Sequence, residues 1–204
     1  HSWAGKDEVN KKGEKTKLAS DVDDNSANRQ HTRIVASVPV LSLELRGSGE
    51  AAKMIIDCHT HIFPPFIRDD REPLIKADSA FKLLYDSSKA KLVGAAELVE
   101  QMDRSGVDQT VVFGFPWSDS ELMKRHNDYV GEAASRFPGR LLPFVCVDPR
   151  VNQAAEEVER CLVGGMRGVG ELAFYTEVLD SSVVDMLDPI ASSCRDYGVP
   201  LMLH

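Results

Sequence analysis

Five short apolar runs, each separated from the next by a stretch of helical length with apolar residues three and four apart, leave this chain few folds to choose from. The runs are 54–58, 108–113, 141–147, 166–169 and 200–203, and the stretches between them cover roughly 95–105, 120–136, 151–163 and 181–196. Leu98, Val99 and Met102 mark the apolar stripe of the first stretch, and Val158, Cys161 and Leu162 that of the third. Gly106, Pro138-Gly139, Gly164-Gly165 and Gly198 stand where these helices should stop. Glycine accepts the left-handed backbone that closes a helix, and proline cannot continue one. A strand, a helix and another strand, repeated, put the strands parallel with right-handed crossovers. The pattern predicts an α/β fold with four βα units and a fifth strand.

The first run leads into Asp57-Cys58-His59-Thr60-His61-Ile62. In an extended strand successive side chains alternate, so Asp57, His59 and His61 are expected on one face and Cys58 and Thr60 on the other. Two neutral imidazoles so spaced can grip one transition-metal ion from adjacent positions. A histidine on an apolar strand is more often a satisfied core residue. Here, however, Ile62-Phe63-Pro64-Pro65 follows, and the prolines forbid continuation of the strand and open a loop. Strand ends opening into loops are where α/β enzymes place their chemistry, so the motif reads as half of a metal site. The connection from Ile62 to Gly94, with room for a short helix near 78–90, is far longer than the usual two to six or so residues. It reads as a lid or binding element.

Other candidates lie at the ends of later strands. His204 closes the fifth run, and in a barrel it would meet His59 and His61 at one mouth. Glu171, in Gly168-Val169-Gly170-Glu171-Leu172, is either a further metal ligand or an ordinary acid at a helix start. Trp117, in Gly114-Phe115-Pro116-Trp117, could stack a substrate, but plain loop packing is the simpler reading. His126, inside a helix beside Asn127, is read as structural or exposed, and His31 has no assigned role.

Charge narrows the partners. The net charge is −8 with a pI near 5.3, which argues against a nucleic-acid backbone or an anionic membrane and leaves a metal ion or a small molecule as the easier partner. Nine basic and eight acidic residues fall in 1–53, so residues 54–204 carry the whole excess of acid. The first 53 residues are polar and without period, which suits a disordered or irregular extension, although Ile34 to Leu45 is apolar enough for a strand. The chain starts at His1, and Met54 reads as the better start. Cys58, Cys146, Cys161 and Cys194 are widely spaced and are expected to be buried free thiols in a reducing, cytoplasmic setting. No apolar stretch approaches the roughly 20 residues of a membrane span.

Four stretches together resemble a known family: Ile56 to Pro64; Asn127-Asp128-Tyr129 through Arg136-Phe137-Pro138-Gly139-Arg140 to Val147-Asp148-Pro149; Gly165 to Leu172; and Val199 to His204. Residues 54–204 resemble the N-terminal half of an amidohydrolase-related protein, in the branch that contains aminocarboxymuconate semialdehyde decarboxylase. The resemblance implies a (β/α)8 TIM barrel, present here to about five strands, whose first-strand histidine pair and fifth-strand histidine bind zinc or a similar divalent ion. His59, His61 and His204 stand at those positions. The family's later histidine, after the sixth strand, and its aspartate, after the eighth, fall beyond His204, so the residue that moves the proton is unknown and the chain is expected to be a fragment of a barrel of about 250 residues. The implied function is hydrolysis of a small-molecule substrate through a metal-activated water. Decarboxylation of a small carboxylated substrate, a non-catalytic truncated metal-binding barrel and a TatD-like metal-dependent deoxyribonuclease are the alternatives. Homo-oligomerisation is left open.

Overall fold

A computed structural model of the chain describes residues 53–174 and 181–204. The expected N-terminal extension, including its apolar stretch, therefore lies outside the described residues except for Lys53. The elements run β1 (Ile56–His61), α1 (Pro65–Arg68), α2 (Glu72–Ala77), α3 (Ser79–Tyr85), α4 (Ala95–Ser105), β2 (Gln109–Phe113), α5 (Ser120–Arg136), β3 (Leu141–Val145), α6 (Ala154–Val163), β4 (Gly168–Leu172), α7 (Ser181–Tyr197) and β5 (Leu201–Leu203). The strands form one sheet in the order β1-β2-β3-β4-β5, and every neighbouring pair is parallel. Sequential parallel strands joined by helices are the first five strands of a (β/α)8 barrel. The long connection after β1 holds three short helices rather than one.

Local chemistry sets the helix ends. The Asp119 carboxylate accepts from the Leu122 amide at 2.7 Å and caps α5, an interaction worth about 1 kcal/mol. Asp78 does the same for α3 through the Phe81 amide, and its second oxygen accepts from the Ser118 amide and hydroxyl, tying the long connection to the loop after β2. Helix α4 closes on Gly106 in the left-handed conformation.

Two apolar clusters separate the faces of the sheet. Val112, Leu141, Val145, Val147, Val169 and Leu172 pack with residues of the helices, among them Met123 and Val130 of α5. Val111, Phe113, Phe144 and Cys146, with Leu142 and Met202 against them, make a second cluster on the opposite, inner face. Polar groups pin the outer layer. The Asn127 amide donates to Glu157 at 2.9 Å and its oxygen accepts from the Cys146 amide at 3.1 Å, so one side chain joins α5, α6 and the residue that follows β3. Burial raises the Glu157 carboxyl, but the hydrogen bonds from Arg160, Asn127 and Cys161 outweigh it and hold the group below the usual carboxylate range.

Two strands break the simple alternation. On β1, Asp57 pairs with Thr110 while Thr60 pairs with Val112, so three steps on β1 match two on β2. Asp57 therefore shares the outer face with Thr60 instead of lying beside His59 and His61, and its carboxylate accepts from the His59 amide at 3.1 Å within the irregularity. On β4 the register shifts between Val169 and Leu172, and both of these residues pack in the outer cluster although three positions apart. The thiols are free, as expected, but Cys58 is exposed while Cys146, Cys161 and Cys194 are buried. Among the described residues no helix is long and apolar enough to cross a membrane.

Candidate metal centre

The inner face at the C-terminal end of the sheet collects residues from three strands. His59 and His61 come from β1, Glu171 from β4, and His204 directly follows β5. Ring centroids of His59 and His61 are 5.4 Å apart, and those of His59 and His204 are 5.8 Å apart. Both β1 rings lie edge-on to Phe113 of the inner cluster, at 5.1 and 4.7 Å. Residues more than 140 positions apart in sequence thus meet because parallel strands all end on one side.

Glu171 is the hub. Its carboxylate is 1% exposed, with Oε2 at 3.2 Å from His59 Nε2 and 3.0 Å from His61 Nε2, and Oε1 against His204 Nδ1. The register shift on β4 turns it inward; strict alternation from Val169 would have faced it toward the helices. The reading of Glu171 as an acid at a helix start does not hold, since it lies within β4. Burial raises its carboxyl, but pairing with His59 and His61 outweighs that and holds it well below the usual carboxylate range. The same pairing raises the His59 imidazole against the opposing effect of burial.

The hydrogen-bond pattern around His61 tests whether a cation fits. His61 Nδ1 lies 2.7 Å from the Gly114 carbonyl, which can only accept, so Nδ1 carries a proton and Nε2 is the nitrogen turned to Glu171 Oε2 and to any ion held there. That oxygen is buried without a hydrogen bond of proper geometry among the described residues, although two imidazole nitrogens lie within 3.2 Å. A buried carboxylate crowded by imidazole nitrogens calls for positive charge beside it, which a bound cation supplies and which a proton on one of the rings supplies without it. His59, Glu171 and His204 offer three ligand atoms all within 4.8 Å of one another, with His61 beside them. Three imidazoles and a carboxylate are a donor set suited to zinc and similar divalent ions.

Trp117 and His126 lie away from this cluster and pair with each other. Trp117 is fully buried, and its indole N–H donates to His126 Nδ1 at 2.9 Å. His126 Nε2 lies 2.7 Å from the Ile62 carbonyl, so the ring is neutral, protonated at Nε2 and bonded at both nitrogens. Neither side chain is exposed, and the plain-packing reading of Trp117 and the structural reading of His126 hold. No signal in the sequence joined these residues nine positions apart.

Burial lowers the His126 imidazole from about 6.5 to about 4, since a proton there would enter a dry site and displace the indole donor. The folded state thus resists a proton that the unfolded chain accepts. Its contribution is complete above pH 6.5 and is lost as pH falls to about 4, a loss of about 3 kcal/mol at about 1.4 kcal/mol per pKa unit. Urea midpoints across this range should fall more steeply for the parent chain than for His126→Gln. Equal slopes would show that the proton is taken up elsewhere.

The profile of the family described as Amidohydrolase matches residues 56–204. Among solved structures, a 5-carboxyvanillate decarboxylase from Novosphingobium aromaticivorans with bound manganese is 19% identical with a TM-score of 0.59, over 75% of this chain and 51% of its own. The 5-carboxyvanillate decarboxylase of Sphingomonas paucimobilis is 18% identical with a TM-score of 0.57, over 74% and 51%. A 4-oxalomesaconate hydratase from Rhodopseudomonas palustris is 21% identical with a TM-score of 0.50, over 74% and 52%. The chain spans about half the length of these solved structures. No curated protein matches it.

Proposed function

The chain belongs to the amidohydrolase family, and from that premise we propose that residues 54–204 form the metal-holding part of an enzyme that hydrolyses a small-molecule substrate, preceded by a separate extension over 1–53. The observation that carries this reading is the buried Glu171 oxygen facing imidazole nitrogens with no hydrogen bond of proper geometry. His59, His61, His204 and Glu171 would hold the ion, most simply Zn²⁺ for this donor set, with Mn²⁺ the alternative. A divalent ion bound there supplies Lewis acidity, lowering the pKa of water toward about 7 and polarising a carbonyl or carboxylate oxygen.

The chain's own residues do the rest of what can be derived. The Gly114 carbonyl fixes the His61 tautomer, and the inner cluster under Phe113 keeps the ligands' floor dry. His59 and His204 are the most open of the four. Ser118, Ser120, Asn152 and the Asp148–Arg150 pair line an open polar depression at the same end of the sheet, apart from the four ligands. Loss of carbon dioxide from a carboxylated substrate is the second reading, favoured by the decarboxylases among the solved neighbours.

Metal content tests the shared premise. After equilibration with Zn²⁺ or Mn²⁺ and gel filtration, elemental analysis should find about one ion per chain. A folded chain that keeps none would end both readings.

A further inference from the structure

His61 sits on a short piece of backbone that a second histidine holds from behind. Ile62, the residue after His61, offers its carbonyl to His126 Nε2 at 2.7 Å, and its amide bonds the Phe113 carbonyl at 3.1 Å. On the neighbouring strand end, Gly114 offers its carbonyl to His61 Nδ1 at 2.7 Å. A Cβ on Gly114 would come within 2.9–3.0 Å of the His126 ring, so only glycine lets the two approach. The same imidazole therefore touches the backbone on both sides of His61: the segment that carries the ligand and the segment that fixes its tautomer. Trp117 locks the ring by donating to its other nitrogen. Phe63, whose ring stacks on His61 at 6.3 Å and lies 5.3 Å from His126, fills the space between them.

We infer that His126 is a positioning residue for the candidate centre, aiming His61 through the Ile62 and Gly114 backbone without touching the ion itself. The inference rests on the metal reading above and deepens it. It separates two jobs that a merely structural histidine would not: the bond to Trp117 anchors the ring, while the bond to Ile62 places the ligand. Outer partners of metal ligands typically change affinity 10–100-fold when removed.

Two variants divide these bonds. The amide of His126→Gln reaches the Nε2 position and keeps the donor to Ile62 but gives up the acceptor for Trp117; His126→Asn keeps the acceptor and gives up the donor. Zn²⁺ affinity of the full chain, measured by competition with a chromophoric chelator, should stay within about 3-fold of the parent for His126→Gln and fall at least about 10-fold for His126→Asn. Urea midpoints taken in parallel should fall for both, so affinity and stability part company. The absorption spectrum of the Co²⁺-loaded chain should change for His126→Asn and not for His126→Gln. Parent-like affinity and spectrum in both variants, with only stability lowered, would overturn the inference and leave the metal reading standing. A parent chain that binds no Zn²⁺ would remove the reading and the inference together.

Discussion

Replacing His59 and His61 together by Ala is expected to reduce retained Zn²⁺ or Mn²⁺ from about one ion per chain to none. The two rings supply the nitrogens that face Glu171 Oε2 at 3.2 and 3.0 Å, and no other described side chain is positioned to replace them. The substitution also takes two of the three imidazoles from around a buried carboxylate, and breaking a buried pair in general costs about 3–5 kcal/mol, so loss of metal must be separated from loss of fold. Glu171→Gln makes that separation. It keeps the volume and removes the charge, and in the absence of metal the neutral amide has less need of a counter-charge. Circular dichroism should show Glu171→Gln folded, while its Zn²⁺ affinity drops by an order of magnitude or more, since a carboxylate is lost from the ligand set. Stoichiometric metal on the double alanine variant would mean that the ion sits elsewhere and that the cluster is only a set of histidines gathered around an acid.

The second large effect is expected at Gly170, immediately before Glu171. Its φ is +127°, a conformation L side chains rarely adopt, and a Cβ would stand 2.5 Å from the Met202 carbonyl oxygen on β5. Backbone cannot yield as a flexible side-chain tip would. Conformational strain of about 1–3 kcal/mol and overpacking of a similar size give Gly170→Ala a cost of roughly 2–6 kcal/mol, a large share of the 5–15 kcal/mol typical of a domain. The control is Gly106→Ala at the end of α4, where φ is also positive, at +67°, but a Cβ would meet nothing within 4 Å. That variant should cost only about 1 kcal/mol. Urea midpoints decide it: similar losses at the two sites would show that the approach of β4 to β5 is looser than it stands here.

Most of the layer order was legible in the sequence because it rests on local signals. Val158, Cys161 and Leu162 recur at helical spacing and are buried on α6, and Gly106 closes α4 at the position its lack of a side chain suggests. The four runs of apolar residues after the first fell on or beside β2 to β5 for the same reason, while the first was placed a few residues early and the histidine pair proved to lie within β1 rather than beyond it. The His126–Trp117 pair was out of reach. Two residues on a loop and a helix meet only through the packing of α5 on the sheet, and neither carries a local signature of a partner.

The sequence by itself determined the periodicities, and with them the parallel α/β layering and the set of strand ends where His59, His61 and His204 would lie. Only the tertiary structure decided which way particular side chains turn. A strand read alone has a strict period of two, which put Asp57 with the histidines and would have put Glu171 on Val169's face. Pairing with β2 and β5 inserts a register shift into β1 and into β4, rotating Asp57 outward and Glu171 inward. Register is a property of two strands at once, so one strand's sequence does not contain it.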